Sequence, residues 1–533
     1  MRTEISIRID GAVPANLLGT APAWRNPRVL CLLGLLCIGQ VLLWSLAFGL
    51  SYTAPEIDSA EQFVWAFSLE NGYWKHPPMP SWIMHGLIQV FGPSVALPFV
   101  ATQVSIVLAL ALTWRLGCEF MSPSRALIAM ALTSLVTYHN MGGDSFNHNT
   151  ALLPFQAATV LLFFLSTRRG AWHLWALTGL FAGLTVLVKY VAILPLAGLL
   201  LYFLLDRSLH RRSQWLGLLL ASGVFALVIL PHVLWLTATE FMPFRYARAV
   251  ARAQPGTLAA LGGLADFALI QLLRLLPFLL GLWFVFAPRR GNAAAGAPAL
   301  PAIATGDRLF VWVVGLAPLS LAMLIGLLSE TELQSRWGAN AFLLSGVLAM
   351  VTMRRADTPS MLNRTLAAVA LAHLVLSLGM TLAKTALADQ LHWRTRANFP
   401  GAVLAREARE TWAAHTRVPL RLVVSDIWLG GNIVANNKRR IAVLIDGRHL
   451  KSPWIKDDAV DNCGALVLDD LTQDSAGRAA PDPALDALMA RADVTGTWTL
   501  PWAKHVSAPS ATGRGLIRWG IILPRSTTSC TLK

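Results

Sequence analysis

VLCLLGLLCIGQVLLWSLAFGL, residues Val29 to Leu50, holds no charged side chain and a single amide, Gln40. A helix rises about 1.5 Å per residue, so about 20 apolar residues cross a hydrocarbon core of about 30 Å. The run follows Arg2, Arg8, Arg25 and Arg28, exceeds the core of a signal peptide and lacks a small-residue cleavage site, so it reads as a first membrane span. Ten further runs repeat the pattern: Ser94–Leu116, Ala126–Asn140, Ala151–Ser166, Trp172–Val188, Val191–Leu205, Trp215–Leu236, Phe267–Ala287, Leu309–Leu328, Ala339–Met353 and Leu366–Ala386. The chain is therefore expected to be a mainly α, polytopic membrane protein with about eleven transmembrane helices, within a range of 10 to 13.

The composition agrees, with 55% hydrophobic and 14% charged residues among 533. A net charge of +15 raises the question of nucleic acid, but the basic residues fall in small groups between apolar runs, which is a topology signal, so no nucleic-acid partner is expected. A cytoplasmic N-terminus (residues 1–28) puts Arg115 and Arg125, Arg168 and Arg169, Arg207, Arg211 and Arg212, Arg289, Arg290 and Arg308, and Arg354, Arg355 and Arg364 inside. The exception is an outer loop, residues 237–264, with Arg245, Arg248 and Arg252.

Three stretches depart from simple hairpins. The first outer loop, residues 51–93, holds two amphipathic segments, Glu56–Asn71 and Ser81–Phe91, with Trp65, Trp74 and Trp82 suited to a membrane interface. Residues 288–308 form an Ala/Gly/Pro-rich cytoplasmic linker. After the membrane domain (29–386) the composition becomes that of a soluble protein, and an odd number of spans leaves residues 387–533 outside. A helix at Ala402–His415 and short apolar runs at Leu420–Val424, Ile441–Ile445, Ala465–Leu468 and Leu516–Leu523 imply a small periplasmic α/β domain. The five cysteines form no metal-site spacing, and Cys463 and Cys530, both in this tail in an oxidising compartment, are expected to pair.

The chemistry concentrates in outer loops. Asp58 and Glu61 stand three apart at the start of a helical segment, on one face near its positive end, where carboxylates either cap the helix or act. They are followed by Gly72-Tyr73-Trp74-Lys75-His76-Pro77-Pro78. The next outer loop reads Gly142-Gly143-Asp144-Ser145-Phe146-Asn147-His148-Asn149, in which Asp144 is a turn residue or a second acid. Lys189 sits where two short spans meet almost without a loop, and a lysine there snorkels, pairs or serves a function. Arg274 lies about two turns inside the eighth span, and Arg336 lies in the last outer loop as an interfacial anchor or an anion ligand.

An acidic pair in the first outer loop followed by an aromatic-charged-proline motif resembles the GT-C glycosyltransferases of the bacterial protein O-mannosyltransferase-like superfamily, which includes the aminoarabinose transferases of lipid A. The resemblance is clearest from Tyr52 to Leu205 and fades in the tail. It implies a GT-C fold in the bacterial inner membrane and a polyprenyl-phosphate-linked sugar as donor. Asp58 matches the essential first-loop acid, with Glu61 and Asp144 assisting. Lys189, Arg274 and Arg336 would hold the donor phosphate, and Tyr73, Lys75 and His76 would form the substrate loop. Some relatives place a metal-binding Glu where this chain has Lys75, so no cofactor is assigned; a divalent metal stays open, with His76 and His148 as candidate ligands.

The resemblance favours lipid A or lipopolysaccharide as acceptor, ahead of a periplasmic protein. The rival class is a lipid-linked sugar flippase or secondary transporter, against which stand the lack of an internal repeat and the gathering of charges at outer loops. No phosphate-binding G-x-x-x-x-G-K-[ST] loop or D-x-D triplet is present, and a lipid-linked donor needs neither.

Overall fold

The structure, a computed structural model, describes residues 23–250, 256–286, 303–353, 359–391, 393–472, 483–501, 514–525 and 530–532. Most of the expected N-terminal segment (1–28) and of the linker (288–308), together with Arg252, Arg289, Arg290, Arg354 and Arg355, lies outside them.

Each of the eleven apolar runs carries a helix. In chain order, with three helices from the loops included, they are α1 (Pro27–Ser51), α2 (Ile57–Trp65), α3 (Met79–Phe91), α4 (Leu97–Gly117), α5 (Pro123–Thr133), α6 (His148–Arg169), α7 (Trp172–Val188), α8 (Ile193–Leu205), α9 (Arg212–Ala238), α10 (Met242–Val250), α11 (Thr257–Phe286), α12 (Thr305–Leu328), α13 (Ser345–Thr352) and α14 (Pro359–Leu382). Local signals set the boundaries. Asn26 caps the amides of Arg28 and Val29, and Pro27 occupies the first turn of α1, where its missing N–H is not needed. Gly170, at φ 65°, takes the left-handed turn that ends α6.

Among the described residues, seven helices are long and apolar enough to cross a membrane: α1, α4, α6, α9, α11, α12 and α14. The other four of the eleven, α5, α7, α8 and α13, have 11, 17, 13 and 8 residues. Every residue of α5 from Arg125 to Thr133 is buried, so its neighbours rather than lipid surround it.

Ion pairs and backbone contacts gather the expected inner residues at one end: Arg115 with Glu119 at 2.6 Å, Arg169 with the same carboxylate at 3.8 Å, Arg168 with Asp307, and Arg125 on the Met350 carbonyl at 3.0 Å. The loop helix α2 belongs to the opposite end and meets the tail domain there. Of the two loop segments expected at the interface, α3 leaves Val90 and Phe91 exposed, whereas α2 is buried from Ser59 to Trp65. The reason is the tail: its helix Ile427–Ala435 packs directly on α2. One apolar core joins Phe63, Val64 and Trp65 of α2 to Val423 and Ile433 of the tail.

The tail sheet has strands β1 (Leu422–Ser425), β2 (Ala442–Ile445), β3 (Ala465–Asp470), β4 (Val494–Pro501) and β5 (Arg514–Ile522), in spatial order β2-β1-β3-β5-β4. β1 pairs in parallel with β2 and β3, with Val424 opposite Leu444 and Val467, while β5 runs antiparallel to β3 and β4. β1 and β2 are buried throughout, as continuous apolar strands of a parallel pair should be. Cys463 and Cys530 form a disulfide, with Cα atoms 4.8 Å apart.

Candidate active site

Four of the expected residues meet in one cavity of about 750 Å³: Asp58, Asp144, Arg274 and Arg336. Asp58 lies in the first turn of α2, near its positive end. Its Oδ2 accepts from Arg336 Nη1 at 2.9 Å and from Asn147 Nδ2 at 3.2 Å. Oδ1 has no protein partner among the described residues. The Asp58 side chain is 33% exposed and that of Arg336 58%, so the pair adds at most about 1 kcal/mol to the fold. Its consequence is to organise charge inside an open cavity.

The loop of residues 142–149 is built around this carboxylate. A Cβ on Gly142 would stand 2.9 Å from the Thr137 carbonyl, so that position requires glycine for close approach, and one on Gly143 would press on the end of the Ile106 side chain at 2.8 Å and on the Asn140 carbonyl at 3.1 Å. Asn147 has two tasks. Its Oδ1 caps α6 by accepting from the amides of Asn149 and Thr150, at 2.8 and 3.2 Å, while its Nδ2 holds Asp58. Ser59 Oγ, next to Asp58, accepts from the Phe146 amide at 2.9 Å and locks α2 to the loop.

Lys189 does not line this cavity but is bonded to the same loop. Extended backbone at φ −160° interrupts the chain between α7 and α8, and its ammonium donates to Asn149 Oδ1 at 2.5 Å. Asp58 and Lys189 are therefore linked through Asn147 and Asn149, two residues apart at the start of α6. Arg274 reaches the cavity from α11 and lies 5.2 Å over the Tyr138 ring. The Tyr138 hydroxyl bonds Gln271 Oε1 at 3.0 Å and the Ser335 carbonyl, which fixes the segment carrying Arg336. On the far wall, Asp144 accepts from the Tyr52 hydroxyl at 2.5 Å, and Lys384 lies 4.5 Å over the Tyr52 ring. Glu56 also lines the cavity; burial raises its carboxyl above the usual range, with Asp144 adding to the rise and Lys384 and Arg396 opposing it.

The other expected site residues form a second cluster that does not line this cavity. Glu61 is buried and its Oε1 takes the Lys75 ammonium at 2.7 Å. Burial pushes the Glu61 carboxyl up to about 7 against the pull of Lys75. Lys75 lies 4.6 Å over Trp74 and 5.5 Å over Tyr246 of α10, so the basic outer loop helps seat the first one. Tyr73, expected in the substrate loop, is instead core: it stacks on Trp65 at 4.8 Å and its hydroxyl donates to the Ser68 carbonyl at 2.6 Å. Gly72 of the same motif passes so close to Trp235 that a Cβ would lie 2.3 Å from its ring.

His76 and His148 face each other with ring centroids 4.0 Å apart. Burial lowers the His76 imidazole to about 3, helped by the nearby charges of Lys189 and Lys75. Among the described residues no group of three or more His, Cys, Asp or Glu side chains is placed to hold a metal. Two imidazoles flanked by two ammonium groups do not fit a divalent cation, which needs anionic or several neutral donors.

Glu56, Asn147, Asn149 and Lys384 were not singled out by sequence reasoning. Asn147 alone left a signal, as an N-cap residue three before Thr150 at the start of an apolar run.

The family model described as dolichyl-phosphate-mannose-protein mannosyltransferase matches residues 75–235. Two curated relatives come from Rhizobium johnstonii. The lipopolysaccharide core galacturonosyltransferase RgtA is 25% identical over 402 residues, 71% of this chain and 75% of that one. The lipid A galacturonosyltransferase RgtD is 23% identical over 331 residues, 60% of this chain and 64% of that one. Among solved structures, ArnT from Cupriavidus metallidurans bound to undecaprenyl phosphate matches with a TM-score of 0.53 and 13% identity, over 93% of this chain and 98% of that one, a likeness of fold. The multi-pass helical fold is similar to that of ArnT, and the sequence relatives and the family match both point to glycosyltransferases of the GT-C kind.

Proposed function

We propose that this protein transfers a sugar from a polyprenyl-phosphate carrier to lipopolysaccharide or lipid A at the outer face of the bacterial inner membrane. The observation that carries the proposal is the cavity in which Asp58 faces Arg274 and Arg336, with Lys189 tied to the same loop. The names of the two curated relatives support the acceptor class, and make a hexuronosyl donor the first to test.

In this reading the bond between the anomeric carbon and the carrier's phosphate oxygen breaks, and its electron pair leaves with the phosphate. Lys189, Arg274 and Arg336 receive that charge, because cations fixed before reaction need no reorganisation as it develops. The acceptor hydroxyl oxygen bonds to the anomeric carbon, and its proton passes to Asp58. Asn147 and Arg336 hold Asp58 in place, with Oδ1 unengaged for the acceptor. Asp144, held by Tyr52, faces the sugar from the other wall. Glu61 assists at a distance by seating α2 through Lys75.

Mass spectrometry of lipid A and core from cells with the gene, without it, and with Asp58→Asn tests this. The expected result is one sugar increment present only with the wild-type protein. Identical lipids in all three strains would rule out the acceptor.

A further inference from the structure

The tail domain carries a groove that the reaction at Asp58 does not use. Two adjoining hollows, of about 820 and about 570 Å³, share Pro419, Leu420 and Arg439. Six cations line them, Arg409, Arg417, Arg421, Lys438, Arg439 and Arg440, and among the described residues no carboxylate does. All six are exposed. Three are braced by neutral carbonyls: Arg409 on Asn436 at 3.3 Å, Arg421 on Cys530 at 3.4 Å, and Arg440 on Phe67, whose ring it also covers at 4.4 Å. None of the six stands in an ion pair among the described residues. Six like charges around one concavity repel unless an anion sits between them, and guanidinium forks match the oxygens of phosphates and carboxylates.

The groove is joined to the candidate active site. Phe67, on its rim, follows α2, whose first turn bears Asp58. The seven helical steps from Asp58 to Trp65 span about 10 Å at 1.5 Å each, and Phe67 follows two residues further on. Buried Trp412 and Leu420 also line the hollows.

We propose that this groove binds the anionic saccharide of the acceptor through its phosphates or carboxylates, while a hydroxyl further along the same molecule reaches Asp58. The assignment rests on the proposed acceptor being lipopolysaccharide. The test is direct binding, by calorimetry, of a delipidated, phosphorylated core oligosaccharide to the full-length protein in detergent. Wild type is compared with the triple variant Arg417→Ala/Lys438→Ala/Arg439→Ala, with the dephosphorylated oligosaccharide and phosphatidylglycerol vesicles as competing probes. The expected result is binding about tenfold weaker in the triple variant, at an unchanged unfolding temperature, with the dephosphorylated probe bound weakly by both proteins. Equal affinity of both proteins for the phosphorylated probe overturns the proposal, as does full competition by the vesicles, which would make the groove a membrane-surface contact. Binding that depends on the three cations while the wild type transfers sugar to no lipopolysaccharide would leave the groove standing as an anionic-saccharide site and remove the acceptor reading alone.

Discussion

At the scale of single residues, Asn147 separates structure from chemistry, because its two ends serve different partners. Asn147→Asp keeps the oxygen that caps α6 and replaces the donor to Asp58 with a second carboxylate. Stability should hold within about 0.5 kcal/mol while transfer falls at least tenfold, whereas Asn147→Ala should also lose about 1 kcal/mol of cap. Unfolding temperature and initial rate, measured on both variants, distinguish the two effects; an Asp variant as active as wild type would remove Asn147 from the positioning of Asp58. Glu61 supplies a pH signature. Its carboxyl stands at about 7 in the fold against an ordinary 4.5, so the folded protein holds the proton more tightly than the unfolded chain. That contribution is complete below about pH 4.5, declines as pH rises to about 7, and is flat above. Glu61→Gln should remove this slope from the unfolding temperature, and a variant that keeps the wild-type slope would show that Glu61 titrates normally. Asp58, Asp144, Arg274 and Arg336 were legible because charges in or beside apolar segments stand out, whereas Asn147 and Lys384 were not. Neutral amides look like turn chemistry, and the contact from Asp58 to Asn147 spans 89 residues of chain, a pairing that one sequence does not encode visibly.

At the scale of elements, helix α2 is where the site and the tail are joined, and Gly431 is the position that permits it. A Cβ there would stand 2.6 Å from both the Cβ and the carbonyl oxygen of Ala60. Gly431→Ala should therefore push α2 away from the tail, cost about 1–3 kcal/mol, and lower transfer although Gly431 lies outside the cavity. A variant with unchanged rate and unfolding temperature would show that the contact relaxes freely. The sequence read α2 as an amphipathic interfacial segment because its Trp and apolar residues suit a membrane surface, and periodicity does not tell lipid from protein as the covering surface. The strand β4, VTGTWTLP, escaped for the opposite reason. Its threonines, Thr495, Thr497 and Thr499, are all exposed and alternate with half-buried or buried residues at the edge of the sheet, so it has no continuous apolar run like those of β1 and β2. The disulfide between Cys463 and Cys530 was expected from compartment alone; it closes a 67-residue separation and fastens the chain's end to the helix before β3.

At the scale of the whole molecule, the charge pattern and the fold divide the protein in the same way. The expected inner arginines pair with one another's neighbours at one end, and the cavity with its tail domain occupies the other. Eleven apolar runs became eleven helices of unequal length, since a short helix packed inside protein satisfies its backbone without spanning the bilayer. The central claim is that Asp58 acts on the acceptor while Lys189, Arg274 and Arg336 hold the donor's phosphate. Its most direct measurement is a single-turnover experiment in vesicles holding purified protein, a polyprenyl-phosphate-linked hexuronic sugar and lipid A, with bound donor and released polyprenyl phosphate followed separately. Asp58→Asn should bind donor as the wild type does and release carrier phosphate about 10²–10⁴ times more slowly, while Lys189→Ala should lose donor binding. Release at the wild-type rate by Asp58→Asn would contradict the account.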